Sequence, residues 1–172
     1  MVANLGLRSK ILATVVAGAA TLNVACGGTT PSTASASAPP SPAASPSPTP
    51  VTTTVTLSAV TNDKLGRILT DGRKTVYVFM GDTGKDSTCY TVCIQFWPPV
   101  LTAGPPHAGA GAMASLLGTT ARTDGTTQVT YADHPLYYFY VDSAGDTNGQ
   151  GIDGFGGLWW VVSPAGKAIT TK

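Results

Sequence analysis

Two cysteines with three residues between them, Cys89 and Cys93 in "STCYTVCIQFWPP" (87–99), are the residues of this chain best able to do chemistry. As thiolates they suit a soft metal or a redox couple, and joined to each other they form a covalent staple. An ideal helix would place the two Cα atoms roughly 6 Å apart, near the upper end of what a disulfide tolerates, so some unwinding is expected. Closing so small a loop is worth only about 2 kcal/mol in the chain-entropy model, so the staple would shape the turn presenting Phe96, Trp97 and the Pro98-Pro99 stop. A metal would need a third ligand, and His107 in "GPPHAGAG" and His134 before Pro135 are the two histidines available.

Other constellations are thinner. All nine acidic residues are Asp and none is Glu, which excludes H-E-x-x-H metalloproteases and the bidentate Glu of an EF-hand loop. Asp146, Asn148 and Gln150 alternate ahead of Gly151 as oxygen ligands do in the first half of a calcium loop, but Gly157 stands where the closing Glu belongs. Most Asp neighbour Gly or Thr, as in Asp71-Gly72, Asp124-Gly125 and Asp153-Gly154, a pattern of turns. Ser115 and Ser163 lack a nucleophile motif, no phosphate-binding glycine loop follows a strand, and no cofactor is indicated, so the chain reads as a non-catalytic protein rather than an enzyme. A formal charge of +1 with no basic run after Lys10 excludes nucleic acid as a partner. The same C-x-x-x-C spacing occurs in copper-delivery proteins for cytochrome oxidase, which keeps copper binding or thiol redox through Cys89, Cys93, His107 and His134 as the alternative.

Around these residues the chain divides into three. Arg8 and Lys10 precede an apolar stretch from Ile11 to Ala25, too short to cross a bilayer comfortably, which reads as an export signal over 1–25. Ala25-Cys26-Gly27-Gly28 resembles the lipobox of bacterial lipoproteins, with Asn23 where Leu is usual and Leu22 one step away. That resemblance implies acylation of Cys26, a palmitate-bearing membrane anchor, and leaves Cys89 and Cys93 to pair in an oxidising compartment. Residues 26–50, rich in Pro, Ser, Ala and Thr, read as a disordered linker, of which 29–50 lack the apolar bulk to fold and could reach on the order of 70 Å. The composition also suits an O-glycosylated stalk.

From residue 51 to 172 short β-branched and aromatic runs alternate with Gly/Asp turns. Strands are expected over 51–60, 67–70, 75–80, 127–132, 136–141, 158–163 and 167–170, with short helices beginning near Ser87, which would cap the first, and over 112–118. "VYVFMGD" (76–82) overlays "LYYFYVD" (136–142) at an offset of 60 residues, and a tryptophan follows each: Trp97, then Trp159 and Trp160. Two related β-rich repeats, about 64–100 and 125–170, are therefore expected in one compact, mainly β domain, each too small to close a core alone.

"YVFMGD" and "YYFYVD" both fit Tyr-x-aromatic-x-x-Asp, through Tyr77, Phe79, Asp82 and Tyr137, Phe139, Asp142. With "STC…C…WPPV", "HPLYYF" and "GDTNGQGIDGFGGLWWVV" in order, the chain resembles the bacterial secreted-repeat lipoproteins described by that motif. Where that family carries Gly between its cysteines this chain has Thr91, which points to a helical turn rather than a tight one. The resemblance implies a cell-envelope lipoprotein, lipid-anchored on the outer face of the membrane, and lends no catalytic residues. An envelope protein or cell-wall polysaccharide is its expected partner, the latter through exposed rings such as Trp159 or Trp160 with Tyr140.

Overall fold

The computed structural model describes residues 53–171. The expected signal peptide, Cys26 and linker lie outside the described residues. In chain order the elements are β1 (Thr56–Asn62), β2 (Gly66–Thr70), β3 (Tyr77–Phe79), α1 (Cys93–Phe96), β4 (His107–Ala108), a 3-10 turn (Ala114–Leu116), β5 (Leu117–Ala121), β6 (Thr127–Tyr131), β7 (His134–Pro135), β8 (Asp153–Gly154) and β9 (Gly157–Val161). They form three small sheets, ordered β2-β1-β4, β3-β9-β8 and β5-β6-β7.

The repeat is visible as two hairpins with one register. β1 pairs antiparallel with β2 so that Ala59 faces Leu69, and β5 pairs with β6 so that Thr119 faces Val129, each residue 60 positions on. Short acidic or amide side chains build the turns as their neighbours suggested: Asp71 Oδ1 accepts from the Arg73 and Lys74 amides at 2.9 and 2.7 Å, and Asp124 Oδ1 from the Thr126 amide at 3.0 Å. β8 and β9 are joined by Phe155 and Gly156, both at positive φ (59° and 90°), as a two-residue hairpin loop that matches strand twist requires.

The halves are intertwined rather than set side by side. Tyr77 and Tyr137 exchange both backbone bonds, N–H to C=O, at 2.9 Å each way, so the repeats meet at equivalent residues. Leu69 of the first hairpin donates to the carbonyl of Val162 at 2.9 Å, and Val129 of the second to that of Val100 at 2.8 Å. Each half thus sends its last extended segment to the hairpin of the other, and neither half has a complete core by itself. Two buried clusters result, one mostly aliphatic around Leu57, Leu69, Val129 and Leu136 with Tyr131 and Trp160, the other mostly aromatic around Tyr77, Trp97, Tyr137 and Trp159.

Several expectations need correction. Residues 136–141 form no continuous strand; Tyr137 makes isolated pairings with Tyr77 and Pro99, because the segment threads between two neighbours instead of lying along one. Over 112–118 there is a single 3-10 turn, and Leu117 and Gly118 already belong to β5. Helix α1 starts at Cys93, not near Ser87, and no side chain caps it. Thr91 adopts φ 51°, the left-handed conformation that glycine would take, so the cysteines straddle a tight turn after all. The strand expected over 167–170 is reduced to one bridge, Ala168 to Val162.

Candidate functional site

The polar residues of the repeated motif find their partners across the repeats. The Tyr77 hydroxyl donates to Asp142 Oδ2 at 2.5 Å, and the Tyr137 hydroxyl donates to Asp82 Oδ2 at 2.7 Å. Each carboxylate is also held from its own repeat, again 60 residues apart: the Thr88 amide donates to Asp82 Oδ1 at 2.7 Å and the Asn148 amide to Asp142 Oδ1 at 3.1 Å. Burial, reinforced by the bond to Asp142, pushes the Tyr77 phenol far above its ordinary value. Burial and the Asp82 charge do the same to Tyr137. These are acids held protonated, unsuited to proton transfer near neutral pH.

The apolar members of the motif build a column of four rings. Phe79 stacks on Trp159 (centroids 4.2 Å), Trp159 stacks on Trp97 (3.9 Å, planes within 5°), and Phe139 lies tilted by 34° against Trp97 (4.5 Å). The order alternates between repeats, and Tyr77 and Tyr137 meet the two tryptophans edge-on at 5.4 and 5.1 Å. Gly149 is needed beside it, since a Cβ there would stand 2.8 Å from the Trp97 ring and 2.9 Å from that of Tyr77.

Cys89 and Cys93 are joined in a disulfide with Cα atoms 5.3 Å apart, buried at the edge of the aromatic cluster. The loop is clamped by Arg122, whose side chain is fully buried. Nη2 donates to the Cys89 carbonyl at 2.8 Å, and Nη1 donates to Gln128 Oε1 at 2.6 Å and Ser87 Oγ at 2.8 Å. Its guanidinium also lies 4.2 Å from the centre of the Tyr90 ring and pairs with Asp124 at 3.2 Å. Ser87, expected as a helix cap, instead relays from Arg122 to the Tyr137 hydroxyl at 2.7 Å. A directed chain runs from Arg122 through Ser87 and Tyr137 to Asp82, with a cation at its donor end and a carboxylate at its acceptor end. Arg122 escaped the sequence reading, where it was one basic residue before an Asp-Gly turn and only the fold brings it to the cysteines.

The remaining expected residues are scattered or occupied. With the sulfurs bonded to each other, a copper site would require reduction first. His107 is exposed in β4 and His134 sits in β7, and among the described residues no three His, Cys, Asp or Glu side chains gather as a metal site. Two of the three residues of the calcium-like run are engaged within the fold: Gln150 Oε1 accepts from the Val161 amide at 2.9 Å, its Nε2 donates to the Ile169 and Thr171 carbonyls, and Asp146 Oδ2 accepts from the Ser143 amide in a turn. Trp159 and Trp160, expected as a sugar platform, are buried, at 0% and 6% exposure. The exposed rings are Phe96, Tyr140 and Phe155, with Phe96 5.3 Å from Tyr140 and 5.9 Å from Phe155. They flank a groove of about 280 Å³ that Asp153 also lines.

A family model described as "secreted repeat of unknown function" matches the chain twice, over residues 59–101 and 118–163, just over half of its length. No curated protein and no solved structure matches the chain. The two matched segments are the two intertwined halves, each running from a hairpin through the Tyr-x-Phe-x-x-Asp motif to the tryptophan and the extended segment that crosses over. The chain belongs to this family of secreted repeats and carries two copies of the repeat, folded into one another.

Proposed function

We propose that this protein is a non-catalytic cell-envelope domain, lipid-anchored through Cys26 on the outer face of the membrane and presenting a rigid surface at the end of its linker. The supporting observation is that the groups best able to do chemistry are consumed in holding the halves together. The phenols and carboxylates of the motif pair across the repeats, Cys89 and Cys93 bond to each other, and Trp97 and Trp159 stack in the core. A secreted family fits export. The test is fractionation of cells producing the full-length chain or its Cys26→Ala variant. The parent should sediment with membranes and take up labelled fatty acid, and the variant should be unlabelled and released. Equal release of both would refute the anchor.

A second reading, binding of cell-wall polysaccharide, is favoured by the exposed cluster of Phe96, Tyr140 and Phe155 beside Asp153, since flat rings with an acceptor nearby suit sugar faces and hydroxyls. Co-sedimentation with purified cell wall, weakened in Tyr140→Ala and Phe155→Ala, would support it. No retention of the parent would end it.

A further inference from the structure

The intertwined repeats are equivalent down to hairpin register, yet their outer edges differ. On the first hairpin the outer edge of β1 is covered by a short extended run of the same chain, His107 to Ala110, lying parallel to it. The covering run makes specific main-chain bonds: the His107 amide donates to the Val55 carbonyl at 2.9 Å, the Gly109 amide to the Leu57 carbonyl at 2.7 Å, and Ala59 donates back to the Ala110 carbonyl at 2.8 Å. On the second hairpin the equivalent strand β5 ends its sheet.

Backbone alternation identifies which groups are left open. The Leu116 carbonyl accepts from Ala132 and the Arg122 amide donates to Thr126, so even-numbered residues of this strand face β6. Odd-numbered Leu117, Thr119 and Ala121 therefore point their backbone groups away from it. The Leu117 amide closes the preceding 3-10 turn, whereas among the described residues no other segment bonds the Leu117 carbonyl, the Thr119 amide and carbonyl, or the Ala121 amide. The Leu117 carbonyl and Thr119 amide are the counterparts, 60 residues on, of the Leu57 carbonyl and Ala59 amide that the covering run engages. Neither charge nor proline blunts this edge, since β5 reads Leu-Gly-Thr-Thr-Ala.

Side chains around the edge show what could lie there. On β1 the close approach demands glycine, since a Cβ at Gly109 would come against Ser58 Oγ and within 3.1 Å of the Leu57 carbonyl. The counterpart of Ser58 on β5 is Gly118, which removes that obstruction and leaves room for a small side chain. A groove of about 520 Å³ adjoins the strand, bounded by Leu117, Gly118 and Thr119 and by Pro105, His107 and Ala108.

We propose that the open edge of β5 is a peptide-binding site, which takes an extended segment of small residues from a partner protein as an added strand parallel to β5. Binding would be carried by main-chain bonds to the Leu117 carbonyl, Thr119 and Ala121, as the covering run is held on β1. This inference stands apart from the lipid anchor and from the exposed rings.

The test uses the full-length protein and a synthetic peptide copying Pro106 to Ala112, the run that covers the equivalent edge. Saturating peptide should slow amide exchange at Thr119 and Ala121 by about tenfold or more, the scale of one added hydrogen bond. A peptide N-methylated at the position of Gly109 should bind about tenfold more weakly to the unaltered protein. Thr119→Pro, tolerable on an edge strand, should also abolish protection at Ala121. The proposal is overturned by unchanged exchange at millimolar peptide or by changes confined to Phe96, Tyr140 and Phe155. It is equally overturned by Thr119 protection that rises with protein concentration without peptide, which would make a second copy the occupant.

Discussion

The hydroxyl of Tyr77 and the carboxylate of Asp142, 65 residues apart and in different repeats, share a buried hydrogen bond of 2.5 Å. Its counterpart, Tyr137 to Asp82, is 2.7 Å long and partly open to solvent. Removing the first donor leaves a buried carboxylate supported, among the described residues, by the Asn148 amide alone, so Tyr77→Phe should destabilise the domain by about 2–3 kcal/mol and Tyr137→Phe by about 1 kcal/mol. Urea denaturation of both variants and of the double variant measures this. Equal losses would contradict the difference in burial.

Alkaline pH offers a second check. Burial and carboxylate partners raise the phenols of Tyr77, Tyr137 and Tyr138, the last bonded to Asp71 at 2.7 Å. A raised folded-state value favours the proton-bound form, so this stability is fully present below the unfolded value of about 10 and is lost as pH climbs above it. Absorbance titration should show these three phenolates appearing together with unfolding. Complete ionisation of all six tyrosines in a protein still folded by circular dichroism would contradict this.

The ring column makes the two tryptophans mutually dependent. Trp97→Ala and Trp159→Ala should each cost about 3–5 kcal/mol, and the double variant should cost clearly less than their sum because the rings lose one shared contact. Thermal denaturation of the three variants reads the coupling. Additive losses would mean that the stack contributes no more than burial.

Around the disulfide the clamp should matter more than the bond. Joint replacement of Cys89 and Cys93 by Ala removes a small-loop constraint worth about 2 kcal/mol without burying new polar groups. Arg122→Met strands the Gln128 and Cys89 oxygens in a buried setting and should cost more, roughly 3–5 kcal/mol. A smaller loss in Arg122→Met than in the cysteine variant, at matched pH, would reverse this ranking.

Gly149→Ala inserts a Cβ between the Trp97 and Tyr77 rings, and overpacking of this kind costs roughly 1–3 kcal/mol. Gly125→Ala, in a solvent-facing turn at φ 82° with open space around it, would suffer backbone strain alone. Near-ultraviolet circular dichroism should therefore change in the first variant and stay unchanged in the second, which separates crowding of the rings from strain in the turn.

Local chemistry made much of this protein legible from its sequence. Asp-Gly and Asp-Thr pairs announced turns, β-branched runs announced β2, β3, β6 and β9, and the 60-residue echo of Tyr-x-Phe-x-x-Asp announced two related halves, because each signal is carried by neighbours in the chain. Thr91 misled, since a left-handed residue is normally betrayed by glycine, and here disulfide closure and the Arg122 bond to the Cys89 carbonyl accompany a threonine in that conformation. Partner choice was invisible. Whether Tyr77 bonds Asp82 or Asp142, and whether Trp159 faces solvent or Trp97, depends on how the halves cross, because each half is too small to bury its own rings and only their interpenetration removes those rings from water.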